Sequence, residues 1–183
     1  SKIYVFNGIV FSELPTTLSG VRYSSTSWGD LNGDGYRDLL ISGESSNGHI
    51  TSMYMNVGNP GFTMLDYGFA PVYGGHDALC WVDYDNDGDL DVMLSGFTEQ
   101  SLVTTLYRND GNGVFVDIQA DFVEAYGTNI DWGDFDNDGD LDMLYAGMSP
   151  NISLIYRNDG NDTFTEMDLE FTAVSSPAVA WVN

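Results

Sequence analysis

The sequence is poor in basic side chains and in cysteine. Of its 183 residues, 5 are Lys or Arg and 28 are Asp or Glu, which gives a formal net charge of −23. A chain this acidic repels phosphates, so unaided binding to DNA, RNA or an anionic membrane surface is disfavoured and cationic partners such as metal ions are favoured. Its one cysteine, Cys80, has no partner within the chain for a disulfide, which leaves the cellular compartment open.

Long apolar runs, helical periodicity and catalytic motifs are missing as well. No run approaches the ~20 apolar residues of a membrane helix, so no membrane insertion is expected. The sequence has no P-loop, no dinucleotide-binding glycine pattern, and neither the His-Glu-x-x-His nor the Gly-x-Ser-x-Gly motif. His76 and Cys80 lie four residues apart on a predicted strand, about 13 Å along it, which is too far for a Cys–His pair. We therefore expect no catalytic residues.

Four regularly spaced tryptophans reveal an internal repeat. Their spacings are 53, 51 and 49 residues, and the first three are followed by an acidic run. A second block of Tyr, Asn, Gly and Phe recurs later in each unit, with eight residues from Tyr to Phe. The tryptophans are Trp28, Trp81, Trp132 and Trp181, and the second blocks begin at Tyr54, Tyr107 and Tyr156. A shortened copy of the second block, beginning at Tyr4, opens the chain.

The repeat predicts an all-β fold made of β-propeller blades with four antiparallel strands each. A period near 50 residues without helical signals is typical of propellers, and each unit divides into four strand-like runs separated by turn residues. In the third full unit these runs are Gly127–Trp132, Leu141–Met148, Ser153–Arg157 and Thr163–Leu169. The predicted units are 1–20, the end of one blade; 21–70, 71–122 and 123–172, three whole blades; and 173–183, a first strand.

The acidic loops predict calcium sites. Oxygen-bearing side chains stand at loop positions 1, 3, 5 and 9, and Gly at position 6 permits the turn that brings position 9 back. Position 7 can add its carbonyl. Such a set has only oxygen donors, which suits Ca²⁺ better than Mg²⁺ or Zn²⁺.

An EF-hand begins in the same way but carries a bidentate Glu at position 12 and has flanking helices. Position 12 is Ile41, Leu94 and Tyr145 here, and strands are predicted on both sides of each loop. A solvated turn is the alternative for one acidic loop. Three loops in register hold 13 carboxylates between them, and without cations these would repel one another.

The tryptophan, the acidic loop and the Tyr-Arg-Asn-Asp-Gly…Phe block together resemble the FG-GAP/VCBS repeat of integrin α-subunit heads and secreted bacterial proteins. The resemblance covers nearly the whole chain and implies about three Ca²⁺ ions, each between the first and second strands of a blade. The side-chain ligands that it implies are Asp30, Asn32, Asp34 and Asp38; Asp83, Asp85, Asp87 and Asp91; and Asp134, Asp136, Asp138 and Asp142. The implied carbonyl ligands are Tyr36, Asp89 and Asp140.

The function that follows from the resemblance is a calcium-stabilised, integrin-like adhesion or binding module, secreted or on a cell surface, without catalytic activity. Its expected partners are calcium and a protein or glycan ligand. Two alternatives are a lectin-like propeller that binds glycans through aromatics, and the accessory propeller of a larger secreted hydrolase. The strict spacing of the tryptophans favours packing between blades over sugar stacking.

The units number fewer than in an integrin head, so a partial or open propeller is expected. Strands predicted at Ile3–Phe6, Ile9–Leu14 and Ala178–Val182 bring the total to fifteen and leave open sheet edges. Three arrangements are consistent with this: a fragment of a longer propeller, a strained closure within one molecule, or self-association of two chains into one ring. The fragment is favoured, because Ser1 and Asn183 both fall inside repeats.

Overall fold

A computed structural model describes residues 1–6, 8–14, 17–58, 61–73, 79–169, 171–172 and 178–182. Within these ranges the regular structure is entirely β, and no helix is long and apolar enough to cross a membrane. The strands are β1 Ile3–Phe6, β2 Phe11–Leu14, β3 Arg22–Gly29, β4 Asp38–Ser45, β5 Gly48–Asn56, β6 Phe62–Leu65, β7 Leu79–Val82, β8 Asp91–Phe97, β9 Leu102–Asn109, β10 Phe115–Asp117, β11 Asn129–Gly133, β12 Asp142–Met148, β13 Asn151–Asn158 and β14 Phe164–Glu166.

The strands form three four-stranded antiparallel sheets and one hairpin. Each sheet takes four consecutive strands in chain order, β3 to β6, β7 to β10 and β11 to β14, while β1 pairs with β2. The described strands close no barrel, so the all-β class and the blade-like sheets of a partial or open propeller are confirmed. Each sheet lies inside one predicted unit; the unit boundaries themselves stay a prediction.

The second strand of each sheet is its most deeply buried element. The strands β4, β8 and β12 are buried along most of their length, because each is paired on both edges and covered on both faces. In each sheet the third and fourth strands form a hairpin, called the 3–4 hairpin below. These hairpins turn at Gly58, Gly111 and Gly160, whose φ angles of 80°, 76° and 73° lie in the left-handed region. This conformation explains the recurring glycine of the Tyr…Asn…Gly…Phe block.

The cores lie between neighbouring sheets. Between the first two sheets, Leu40, Met53, Val92 and Leu94 pack with residues of the linker that precedes β7. A second cluster joins the second and third sheets and includes Met93, Leu106, Met143 and Tyr145. The apolar faces of the sheets thus cover one another, as blade faces do in a propeller.

The recurring tyrosine of the second block holds the linker that leads into its own sheet. The hydroxyl of Tyr54 accepts a hydrogen bond from Ser19 N at 3.2 Å, that of Tyr107 from Ala70 N at 3.2 Å, and that of Tyr156 from Val123 N at 2.9 Å. All three tyrosines are half-buried or buried. Their repetition therefore serves the structure.

Trp81 and Trp132 pack against the clusters between neighbouring sheets, as predicted, whereas Trp28 is 42% exposed. The ring of Trp81 lies on Gly29, the residue after Trp28, so closely that a Cβ on Gly29 would stand 2.8 Å from its Cδ1. The ring of Trp181 lies on Gly133 in the same way, at 2.7 Å. The indole of one unit thus occupies the space that a glycine leaves in the unit before it.

The strand predicted at Ala178–Val182 is wrong, since residues 178–182 belong to no strand and the described strands number fourteen. A first strand pairs with the second strand of its own sheet, and among the described residues no strand pairs with this segment. Its backbone is held by side chains of β11 instead: Val179 N donates to Asn129 Oδ1 at 2.8 Å, and Trp181 N to Asp131 Oδ2 at 2.7 Å. Asn183, which bears on the fragment hypothesis, lies outside the described residues.

The contact between glycine and tryptophan predicts that Gly29→Ala is destabilising. The new methyl group would lie 2.7 Å from Leu90 Cδ1 and 2.8 Å from Trp81, so the two sheets must separate at a cost of about 1–3 kcal/mol. Urea unfolding of the two proteins measures the difference. Gly61→Ala is the matched control, because a Cβ there meets nothing within 4 Å. Equal stability of the two variants would contradict the packing described.

Candidate metal centres

Each acidic loop joins the first and second strands of a sheet and curls around its own carboxylates. The position-6 glycines Gly35, Gly88 and Gly139 have φ angles of 86°, 93° and 101°, which side chains rarely adopt. Their N–H groups donate to the carboxylate at position 1 at 2.9, 3.2 and 3.1 Å. The N–H at position 7 donates to the carboxylate at position 5 at 2.8, 2.8 and 2.9 Å. The first half of each loop is therefore shaped alike in all three units.

The aspartate at position 9 is fully buried in every loop. Asp38, Asp91 and Asp142 each have 0% exposure. One carboxylate oxygen accepts the N–H of loop position 2, at 2.9, 3.1 and 2.9 Å. A carboxylate has about four acceptor positions, so these contacts leave capacity for a cation.

The other oxygen of each buried aspartate binds the end of the third strand. It accepts the backbone N–H of Asn56, Asn109 or Asn158 at 2.7, 2.8 and 2.9 Å. The side chain of the same asparagine donates to the carbonyl at loop position 8 and accepts the N–H of the hairpin glycine two residues on. The same hydrogen bonds thus connect the acidic loop with the 3–4 hairpin in each of the three sheets.

The sequence does not predict this role of the asparagines, although they recur in the second block of every unit. They follow the buried aspartates by 18, 18 and 16 residues. No local motif connects residues that far apart. The signal was the coincidence of two recurring blocks in every unit, which indicates that the blocks meet.

The second and third loops bring three carboxylates together. One oxygen from each of Asp83, Asp85 and Asp91, at loop positions 1, 3 and 9, lies within 4.8 Å of the other two. The trio of the third loop has the same spacing but stands at positions 1, 3 and 5, with Asp134, Asp136 and Asp138 and without the buried aspartate of position 9. In the second loop, Asp83 Oδ1 is screened from solvent and accepts no hydrogen bond within the part of the chain that the structure describes. A buried acceptor without a donor is costly, and a cation is the partner that its neighbours leave room for. The residues therefore fit a divalent ion with oxygen ligands.

The electrostatics of the loops favour a bound cation. Burial raises the pKa of Asp91 to about 7, with Asp85 and Asp87 adding repulsion, while two backbone N–H bonds oppose the rise. Burial raises the pKa of Asp38 and Asp142 as well, and that of Asp85. Each shift records a carboxylate that is unfavourable in its charged form where it stands, and a cation at the centre relieves that cost.

The first loop differs from the other two. Asn32 replaces an aspartate at position 3, and its Nδ2 donates to Asp34 Oδ2 at 3.0 Å and to Met55 Sδ at 3.6 Å. Among the described residues, the close carboxylate trios occur in the second and third loops. The first loop therefore offers one carboxylate fewer at the four predicted side-chain ligand positions, and it must give up an internal hydrogen bond to turn its oxygens toward a metal.

The remaining predicted residues lie where the loops place them. Asp87 is exposed at the rim of the second loop, and Asp30 and Asp134 accept the glycine N–H bonds already described. The carbonyl ligands predicted at Tyr36, Asp89 and Asp140 stay a prediction. Strands flank all three loops, which agrees with the exclusion of an EF-hand. Cys80 is half-buried on β7, and His76 lies outside the described residues.

Comparison with known proteins agrees with this geometry. The model of the FG-GAP-like repeat family matches residues 30–94 and 97–145, which together make up more than half of the chain. The matches include all three acidic loops. No curated protein matches the chain significantly.

The link between loop and hairpin predicts that Asn109→Ala weakens both the fold and metal binding at the second loop. The change removes the bonds to Gly111 N and Leu90 O, for a loss of about 1–3 kcal/mol in urea unfolding. The second loop should also bind calcium less tightly in calorimetry. Gln100→Ala is the control, since the side chain of this exposed residue makes no hydrogen bond within the described residues, and its backbone N–H donates to Thr98 Oγ1. A change in neither stability nor affinity for Asn109→Ala would contradict the link.

Proposed function

We propose that this chain, which belongs to the FG-GAP-like repeat family, is a calcium-stabilised binding or adhesion module without catalytic activity. Repeats of this family are typical of extracellular or cell-surface proteins. Free calcium is near millimolar outside cells, so sites of modest affinity would be filled there. The proposed partners are calcium and a protein or glycan ligand on a surface.

The close carboxylate trio of the second loop carries the calcium proposal. Three aspartates converge within 4.8 Å, one of their oxygens is buried without a donor, and the buried member has a pKa of about 7. Bound Ca²⁺ would neutralise these charges. All available ligand atoms are oxygens, and Ca²⁺ accepts six to eight oxygens in variable geometry, whereas Mg²⁺ demands a near-ideal octahedron and keeps several waters, which favours Ca²⁺.

The proposed role of the metal is structural. The buried aspartate of each loop already joins loop position 2 to the end of the third strand, so a ligand that fixes this aspartate fixes the sheet edge as well. A metal that binds the folded chain alone stabilises it by mass action. Calcium would then set the stability of the surfaces through which the module binds.

A glycan-binding role is the second candidate, and a row of tyrosines favours it. Tyr23, Tyr73 and Tyr126 lie at the ends of the sheets away from the acidic loops, with ring centroids 6.3 Å apart from one sheet to the next. His49 and Phe97 flank the central ring at 4.3 and 5.9 Å. Tyr23 is 61% exposed. Amphipathic rings in a row suit a ligand with both apolar faces and hydroxyl groups.

Removing calcium is expected to lower the melting temperature by roughly 10 °C. With free calcium at about ten times the Kd, three sites together add about 4 kcal/mol to the free energy of unfolding. Each kcal/mol moves the melting temperature of a chain this size by about 2–4 °C. Scanning calorimetry with and without chelator measures the shift, with excess Mg²⁺ as control.

Titration calorimetry should count about three ions, and the first loop should bind most weakly because it has the fewest carboxylates. An unchanged melting curve, three equal sites, or loss of the tightest binding in Asp30→Ala would contradict the proposal.

The glycan candidate has a separate test. If the tyrosine row binds sugars, a glycan array should give selective binding that Tyr23→Ala and Tyr126→Ala each reduce. Tyr4→Ala, which removes an exposed ring outside the row, should leave binding intact. An array without selective binding would reject this candidate while leaving the calcium proposal standing.

A further inference from the structure

A cavity of about 400 Å³ lies between the first and second sheets, at the edge where the acidic loops stand. Its walls come from the first acidic loop, the end of β5, the linker at Tyr67 and the 3–4 hairpin of the second sheet. Tyr67 and Phe115 form an aromatic floor, with ring centroids 5.0 Å apart. Asp30, Asp89 and Asn112 bring polar groups to its rim.

The chain's own side chains occupy the equivalent place between the second and third sheets. There the Tyr84 hydroxyl donates to Asp162 Oδ1 at 2.5 Å, and the Arg108 guanidinium binds the same carboxylate as well as Asp110. Asn86 Nδ2 donates to Gly139 O and to Asp140 Oδ1, each at 3.1 Å. This second interface is thus filled by an aromatic ring, a guanidinium and an amide, each with its partner.

All of these filling groups are missing from the first interface. The repeat aligns Tyr84 with Leu31, Asn86 with Gly33, Arg108 with Met55 and Asp162 with Gly113. Every one of the four replacements lines the cavity. Four smaller or uncharged residues at one place in one interface account for the open space.

The same replacements leave one carboxylate without its donor. Asp89 corresponds to Asp140, which receives the Asn86 amide, but the residue aligned with Asn86 is Gly33, which has no side chain. Within the described part of the chain, the Asp89 carboxylate accepts no hydrogen bond. It lines the cavity beside the aromatic floor.

We infer that this cavity binds a guanidinium group on an aliphatic stem, as carried by an arginine side chain or an alkylguanidine. The group would enter the space that Arg108 and Asn86 fill in the next interface, and it would pair with Asp89, which stands in the place of the carboxylate that Asn86 binds there. A guanidinium pairs with carboxylates through paired N–H donors and stacks on aromatic faces, so it fits both parts of the lining. This inference rests on the proposed binding function and names one of its sites.

Filled calcium sites would not reverse the charge of the cavity. The two loops beside it hold eight carboxylates and one basic residue, Arg37. Two divalent ions neutralise only half of that negative charge. The cavity therefore stays attractive to a cation in the form of the protein expected outside cells.

The test uses the calcium-loaded chain and two probes whose termini are blocked and therefore uncharged, N-acetyl-arginine amide and N-acetyl-citrulline amide. Citrulline has nearly the shape of arginine without its charge, so titration calorimetry should give saturable binding for arginine at least about tenfold tighter than for citrulline. Asp89→Asn should weaken arginine binding about tenfold, whereas Asp121→Asn, an equal charge change at an exposed residue outside the lining, should not. Equal binding of both probes, or no effect of Asp89→Asn, would overturn the inference.

A second variant fills the cavity from within. The double variant Met55→Arg with Gly113→Asp introduces the ion pair of the next interface. The backbone at Gly113 can accept an aspartate, because its φ of 76° is close to the φ of 60° at Asp162, the aligned residue. This variant should keep its calcium-dependent melting shift and lose arginine binding. Retained arginine binding would place the probe elsewhere and overturn the inference. Comparing butylguanidine with an arginine-containing peptide separates a small-molecule source from a protein partner.

The two levels of the proposal can fail separately. A normal melting shift on calcium removal, together with no arginine binding, rejects the cavity and leaves the calcium role standing. Arginine binding with no melting shift rejects the calcium role and supports the cavity.

Discussion

A buried carboxylate at the end of each acidic loop is the group on which the sheets depend. Its two oxygens hold loop position 2 on one side and the end of the third strand on the other, so one side chain connects the first, second and third strands with the 3–4 hairpin. Removing a carboxylate from water is costly, and two backbone N–H bonds return part of that cost. The remainder explains why the pKa of Asp91 is raised despite these donors. The proposed cation at the loop would complete the compensation and would couple metal binding to folding.

Much of this could be predicted from sequence, because the information is local or repeats. The strands, the hairpin glycines and the loop spacing are encoded in short segments, and three copies in register raise a weak pattern to a strong one. The link from Asp91 to Asn109 could not be predicted, because it joins two blocks 18 residues apart through a backbone N–H that any residue carries. The predicted strand at Ala178–Val182 failed for another reason. Its sequence matches a first strand, but a strand exists only with a partner to pair with, and local pattern does not reveal whether one is present.

The contacts between sheets follow a different rule from those within them. Within sheets, the same residue types recur at the same places: the aspartate, the asparagine, the tyrosine and the glycine. Between sheets, the contacts are particular to each interface: Trp81 lies on Gly29 in the first, while Val82 stands in the place of Gly29 in the second. Tyr84, Arg108 and Asp162 meet in one interface, and Leu31, Met55 and Gly113 stand in their places in the other. Repetition therefore marks what every blade needs to fold, and variation marks where one interface can take a role of its own.

That division has an energetic basis. The residues of the loop and hairpin cannot change singly without leaving a buried charge or donor unpaired, so each unit must keep the full set. The ion pair near the acidic loops tolerates change, because Arg108 and Asp162 are both partly exposed and can be lost together. Losing Arg108 and Asp162 as a pair, as the first interface shows, leaves no buried charge behind and opens a space with a carboxylate at its rim. If the cavity binds as proposed, the loss of one internal ion pair suffices to create a binding site without altering the groups that hold the blade together.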